Sequence, residues 1–299
     1  MKLGLLVNPA AGNGRAQRIM PELLKRLRKM FKKEPLVQIT RPAKGDAATD
    51  TLLSKGADVI VCLGGDGTFN QAAQRLANTG VPVALVPGGR GNDLIKSIFG
   101  KSLSWKKAVE RLSRAEQVDM DIGLVQGPGI NRFFVNGFGL GFDALVARKI
   151  DQLRPMTGLR VYLKAVFSVF KTYEPVFVDA KDGPLGFAGP CLMAGAGVGK
   201  FLGGGFKLFP KAHMRDGLLD FHFIEPLPKG TSDLVFAHKV LKVIRGKHLN
   251  MKQAHYAQGE AGVFRLRNRV SVQMDGEVLD FPSGDFEISC VSRGLRVLI

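Results

Sequence analysis

Three cysteines in 299 residues, Cys62, Cys191 and Cys290, are too few and too scattered for a disulfide framework or a zinc site, which fits a reducing compartment. No apolar run approaches the roughly 18–20 residues that a membrane-spanning helix needs. The apolar opening Leu3–Val7 stops at Asn8-Pro9, too short for the core of an export signal, and reads as a first strand. Acid is scarce: 26 Asp plus Glu stand against 43 Lys plus Arg, a formal net charge of +17. Aromatics that could stack on bases are scarce too, with one Trp and three Tyr, and no nucleic-acid-binding module is present. These absences point to a cytoplasmic chain and weigh against nucleic acid as its partner. The positive charge attracts anionic membrane surfaces and phosphorylated ligands alike, and charge alone does not choose between them.

What is present is a globular composition, 45% apolar, at a length that suggests two domains. The 37 glycines follow no collagen-like period and signal tight turns or backbone-lined sites. Over the first 124 residues strands and helices alternate. Strands are predicted at 3–7, 36–40, 58–63 and 83–86, and helices at 16–33, 46–55 and 69–77. Continuous apolar strands such as Asp58–Leu63 belong in a parallel sheet buried on both faces. From 125 to 290 short strands separated by Gly and Pro predict a mostly antiparallel β domain. Its helical patterns fall near 143–149, 159–171 and 232–245. Pattern leaves open whether 291–299 returns to the first domain.

Three glycine-rich loops fall at the carboxyl edge of the parallel strands, where open α/β sheets bind ligands. They are Asn8–Gly14, Gly64-Gly65-Asp66-Gly67-Thr68, and Pro87-Gly88-Gly89-Arg90-Gly91-Asn92-Asp93. Glycine lets backbone N–H groups approach phosphates, and a helix start favours anions. Asp66 among phosphates would repel them unless it holds Mg²⁺ or its waters. The usual nucleotide signatures are missing. Gly195–Lys200 is followed by Phe201 and lacks the P-loop hydroxyl, and Gly137–Gly141 lacks the dinucleotide-binding spacing; both read as glycine-rich packing turns.

These three loops, in this order, resemble the catalytic domain of the diacylglycerol kinase and sphingosine kinase superfamily, most closely the soluble bacterial lipid kinases. Phe134–Ala144, Gly203-Gly204-Gly205, Asp216-Gly217-Leu218-Leu219-Asp220 and Asp275-Gly276-Glu277 extend the resemblance over nearly the whole chain. The Asp66 loop alone is shared with NAD kinases and phosphofructokinases. The resemblance implies an ATP-binding α/β domain of that type, followed by a β-rich lipid-substrate domain. It implies that Gly64, Gly65, Asp66, Gly67, Thr68, Phe69 and Asn70 bind ATP phosphates, with Asp66 organising Mg²⁺. Asn8, Thr40, Asn92 and Asp93 match positions beside the nucleotide. Arg90 stands where many members carry threonine, as a phosphate clamp or a surface charge. Asp216, with the carbonyls of His213 and Leu218, resembles a magnesium site that supports the fold. Glu277 is the implied proton acceptor and Asp275 its rival.

Such chemistry needs an in-line hydroxyl, neutralised phosphates and a base. With Asp66 and Glu277 in different halves, a cleft between domains is the expected active site, and diacylglycerol the expected acceptor. Without the resemblance, Asp275-Gly276 reads as a tight hairpin turn. Six cations within 25–33 have no compensating acid among them. Arg148, Lys149, Arg154, Arg160, Lys164 and Lys171 interleave with apolar residues, and Lys239, Lys242, Arg245 and Lys247 line a further helix. They are solvated faces or sites of reversible docking on anionic membranes. A soluble-substrate kinase of the NAD kinase type, a silent nucleotide-binding membrane protein and a nucleic-acid binder stand as alternatives.

Overall fold

A computed structural model describes residues 2–41, 44–153, 159–228 and 230–299. Two compact units share the chain: Met1–Ile122 with Ser292–Ile299, and Gly123–Val291.

In the first unit the apolar runs become parallel strands. The order of elements is β1 (Leu3–Val7), α1 (Ala11–Phe31), β2 (Leu36–Ile39), α2 (Gly45–Ser54), β3 (Val59–Gly64), α3 (Asp66–Leu76), β4 (Val83–Pro87), α4 (Asp93–Phe99) and α5 (Trp105–Leu112). The sheet runs β2-β1-β3-β4, with every one of these pairs parallel. β1, β3 and β4 are buried at every position, as strands covered on both faces must be. Leu5, Val61, Val86 and the α1 residues Ile19, Leu23 and Leu27 share one core cluster. α1 carries its apolar residues at the 3–4 spacing that makes one buried stripe. Its regular turns start later than its first residue, because Gly12, Asn13 and Gly14 hold left-handed backbone at φ 62°, 58° and 77°.

The chain's end completes this unit. Val297 pairs with Val83 in parallel, Glu116 and Ile299 exchange backbone hydrogen bonds at 3.2 Å, and Arg296 clasps Asp119 at 2.8 Å. Both changes of unit fall inside strands, β5 (Gln117–Gly127) and, at the far end of the chain, Gly284–Leu298.

The second unit holds β6 (Ile130–Phe134), β7 (Gly137–Gly141), α6 (Phe142–Gln152), α7 (Leu159–Phe170), β8 (Val176–Ala180), β9 (Phe187–Cys191), β10 (Met193–Gly197) and β11 (Leu219–Ile224). It continues through α8 (Asp233–Ile244), β12 (Ala254–Gly259), β13 (Ala261–Leu266), β14 (Val270–Met274), β15 (Glu277–Phe281) and the first part of β16 (Gly284–Leu298). One antiparallel sheet runs β12-β11-β10-β7-β14-β15. β13 pairs antiparallel with both β16 and β8, and β8 with β9. The α/β first unit and mostly antiparallel second unit match the fold class read from the sequence.

Two glycine-rich stretches are corrected. Gly137–Gly141 is strand β7, and the first half of Gly195–Lys200, through Gly197, lies in strand β10. Their small residues let α6 lie close: a Cβ on Gly139 would collide with the Asp143 carboxylate. Strand periodicity is invisible where glycine stands in for the inward side chain.

Candidate active site

The residues that follow the parallel strands, Thr40, Asn8, Gly65 and Gly88, line one edge of the first unit. Asn8 Nδ2 donates to Thr68 Oγ1 at 3.1 Å, and its Oδ1 accepts the Ala10 N–H at 3.2 Å. The N–H groups of Gly88 and Gly89 both donate to the Gly64 carbonyl, at 2.7 and 3.0 Å. A Cβ on Gly89 would stand 2.5 Å from Gly65 Cα, and one on Gly12 would strike the Gly88 carbonyl oxygen. The three loops therefore touch backbone to backbone. Arg90 donates to Asn13 Oδ1, and Arg18 Nη1 to the Asn13 carbonyl at 3.5 Å, so two guanidinium groups converge on the first loop.

Asp66 opens α3 and reaches across to α4. Its Oδ2 accepts the Asp93 N–H at 3.1 Å and its Oδ1 the Leu94 N–H at 3.0 Å, a cap worth about 1 kcal/mol. Asp93 is buried and pairs with Lys96 at 3.0 Å. Asn92 is left-handed at φ 50°; its Nδ2 donates to the Gly89 carbonyl at 3.2 Å. Its Oδ1 is buried and has no partner among the described residues. The N-cap of α3, Gly65, has no side chain, and the N–H groups of Gly67 and Thr68 lie in its first turn, where α-helices have no i−4 acceptor. Open donors at a helix start, an orphaned amide oxygen and carboxylates at 66 and 93 form a donor set that fits a magnesium-complexed polyphosphate.

Three of the expected contact residues have buried side chains. Phe69 and Asn70 are fully buried, Phe69 in the apolar interior and Asn70 accepting from Gln74 Nε2 at 3.0 Å, so neither offers its side chain to a ligand. Thr40 is buried as well, with its N–H on the Val7 carbonyl at 2.8 Å and its hydroxyl donating to the Arg41 carbonyl at 3.0 Å.

In the second unit Asp275 and Gly276, at φ 49° and 89°, form a two-residue hairpin between β14 and β15, pairing Met274 with Glu277. The Asp275 carboxylate is buried and accepts three backbone N–H groups, from Val135 at 2.7 Å and from Asn136 and Gly137 at 2.9 Å each. It holds the turn between β6 and β7 in shape. Glu277, presented by the same hairpin, is a quarter exposed and ion-paired with Arg132.

The segment before β11 carries the Asp216 site expected from the sequence. Asp216 Oδ1 accepts the Leu218 N–H at 3.1 Å and the His213 carbonyl accepts the Arg215 N–H at 2.9 Å. Among the described residues no group of three or more His, Cys, Asp or Glu side chains gathers. The one side chain of the expected site, Asp216, is exposed.

A cavity with about 680 Å³ of empty space, its open mouth included, lies in the second unit beneath α6, α7 and α8. Phe142, Val146, Tyr162, Val166, Phe236 and Val240 are among its walls. Its polar groups include Asp143 and Gln273, joined at 3.0 Å by Gln273 Nε2 donating to Asp143 Oδ2. Asp143 Oδ1 and Gln273 Oε1 have neither solvent contact nor partner among the described residues. Burial pushes the Asp143 carboxyl up to about 7, against a smaller opposing effect from the Gln273 hydrogen bond.

Models of two known domains match in sequence: the diacylglycerol kinase catalytic domain over residues 2–125 and the YegS C-terminal NAD kinase beta sandwich-like domain over 137–299. The chain belongs to the diacylglycerol kinase family. It is 27% identical over 310 residues to a diacylglycerol kinase of Mycobacterium tuberculosis, covering 99% of this chain and 94% of that one. To a diacylglycerol kinase of Bacillus subtilis it is 22% identical over 286 residues, covering 94% and 91%. A crystal structure of a diacylglycerol kinase from Bacillus anthracis shares the fold at a TM-score of 0.69 and 20% identity, covering 99% and 96%.

In this diacylglycerol kinase family member the first unit brings Asn8, Gly64–Thr68, Arg90, Asn92 and Asp93 together. Glu277 sits in the second unit, and Asp275 is set apart from it by its backbone partners. The Asp143–Gln273 pair escaped the sequence because 130 residues separate its members. The one available signal was a carboxylate directly after the apolar run Phe142 closes. The six cations of 25–33 are less isolated than their own segment suggests: Arg26 pairs with Glu22 at 2.8 Å and Arg28 with Glu34 at 2.5 Å. Arg154 lies outside the described residues, as does the side chain of Arg160. No helix among the described residues is long and apolar enough to cross a membrane.

Proposed function

We propose that this kinase transfers the γ-phosphoryl group of ATP to the hydroxyl of a neutral lipid, with diacylglycerol as the leading acceptor and phosphatidate as the product. The observation that carries the lipid reading is the cavity beneath α6, α7 and α8. Its walls are dominated by Phe, Tyr, Val and Leu, which suit an acyl chain and not a dinucleotide. That contrast ranks the lipid above the NAD kinase type of acceptor.

In this reading the first unit holds the nucleotide. The loop N–H groups of Gly65, Gly67 and Thr68 face the phosphates, Asn8 and Asn92 supply amide contacts, and Arg90 offers a guanidinium. Thr40 lies along the same edge. Asp66 and Asp93 supply hard oxygen donors for Mg²⁺. ATP with Mg²⁺, when bound, contributes the phosphoryl group and neutralises its oxygens. Asp66 also keeps the start of α4 in register with the start of α3. In the second unit Glu277 accepts the proton of the attacking hydroxyl, oriented by Arg132, while Asp275 holds the turn that shapes its surroundings. The Asp216 segment, with the carbonyls of His213 and Leu218, supports the fold, and no step passes through it. Work on membrane lipid implies transient residence at an anionic surface of the cytoplasmic leaflet.

The test is a panel of lipid acceptors incubated with γ-labelled ATP and Mg²⁺. Label should enter a chloroform-extractable product, and Asp66→Ala should abolish it with the fold retained. Label found only in an aqueous product, with NAD as the acceptor, refutes the reading.

A further inference from the structure

Among the described residues five large hydrophobic side chains stand exposed, and three of them, Leu234, Val235 and Leu241, belong to the single helix α8. Leu234 is 84% exposed. At 100° per residue, Leu234, His238, Leu241, Lys242 and Arg245 fall within one arc of about 100° that faces away from the unit's core. The opposite face carries Phe236 and Val240, both buried, and both line the apolar cavity. Phe236 is locked there by stacking on Phe170 and by edge contacts with Phe142 and Phe167. The helix is thus a wall with an apolar cavity on one side and a mixed apolar and basic stripe on the other.

We propose that the outer stripe of α8 is the surface by which this protein sits on an anionic phospholipid bilayer. Leu234 and Leu241 enter the headgroup boundary while Lys242 and Arg245 meet lipid phosphates. The charge pattern selects this occupant. Among the described residues neither Lys242 nor Arg245 has an ion-pair partner, and the nearby Asp233 is engaged by Lys171 at 3.8 Å. A second copy of the same face would bring like charges together across a two-fold interface. Nucleic acid would leave Leu234 and Leu241 in water. Interfacial helices are built this way, with leucine to enter the headgroup boundary and lysine or arginine to hold the phosphates. The proposal rests on the lipid-kinase reading for its purpose: it puts the cavity's own wall at the bilayer that supplies the acyl chain. The binding it describes needs neither ATP nor catalysis.

The experiment is cosedimentation of the full chain with phosphatidylcholine vesicles, with and without phosphatidylglycerol, at low and high salt. Wild type should bind the phosphatidylglycerol vesicles and lose much of that binding in high salt. Leu234→Ser with Leu241→Ser should weaken binding at least tenfold, roughly what removing one buried leucine costs. Lys242→Gln and Arg245→Gln should each weaken binding to anionic vesicles about fivefold and leave neutral ones unchanged. Turnover of a dissolved short-chain diacylglycerol should be preserved in the double serine variant, which separates docking from catalysis and from misfolding. Equal vesicle binding by the double serine variant overturns the proposal. So does wild-type self-association, or retention on DNA, that the same variant abolishes. Vesicle binding that behaves as expected in a protein that phosphorylates no lipid would sink the functional reading and leave the docking surface standing.

Discussion

Replacing Asp143 by asparagine tests how dry the cavity is. Burial raises this carboxyl from an ordinary 3.8 to about 7, so between those values the folded protein keeps a proton that the unfolded chain has released. Stability must then fall as pH rises through that window and level off above about 7. The whole window is worth roughly 4 kcal/mol, and the part from pH 5 to pH 8 roughly 2–3 kcal/mol. Asparagine keeps the shape and cannot ionise. The Asp143→Asn variant should therefore gain roughly 2–3 kcal/mol on wild type over that pH range. Urea titrations read by hydrogen exchange of the β10 and β11 amides follow the second unit alone, which avoids the ambiguity of a two-unit transition. Parallel pH profiles for the two proteins would mean that water reaches the carboxylate, and the account of a dry, acyl-accepting cavity would fall with it.

Three other substitutions probe the site. Glu277→Gln should lower kcat by about 10²–10⁴ with little change in Tm, whereas Asp275→Asn should cost about 1–3 kcal/mol of stability by spoiling three backbone hydrogen bonds; thermal melts beside turnover assays separate the two, and the reverse pattern would exchange their roles. Gly89→Ala puts a methyl 2.5 Å from Gly65 Cα and should weaken ATP binding about tenfold or more, measured by calorimetry; unchanged affinity would show that the loops need not touch. His222 lies buried against Phe209, both ring nitrogens without partners among the described residues, and burial pushes its imidazole down to about 3. Wild type must lose stability as pH falls below the ordinary 6.5 toward 3, because the unfolded chain takes up the proton first. His222→Phe should remove that share of the acid sensitivity and add about 1 kcal/mol at neutral pH, read from urea midpoints across the acid range.

Much of the fold was legible because local signals and global placement agreed. Continuous apolar strands separated by amphipathic helices could only make a parallel sheet covered on both faces, and β1, β3 and β4 are that. Asp275-Gly276 was readable as a hairpin from two residues, since only such residues tolerate two successive positive φ values. β7 and β10 were not readable, because glycine erases the alternation that marks a strand. Phe69 and Asn70 were assigned by the motif they occupy, but the motif runs into a helix whose next turn points inward.

Sequence by itself determined the glycine loops, their order and the side of the sheet on which they must emerge, because strand direction and loop position follow from chain order alone. Tertiary structure decided what depends on residues far apart in the chain. It brought the last eight residues back to the first unit, gave Asp275 three backbone partners near residue 136, and set Asp143 against Gln273 in an apolar cavity. A carboxylate looks the same in every sequence. Its neighbours decide whether it braces a turn, takes a proton or sits neutral in the dark of a core, and they come from distant parts of the chain.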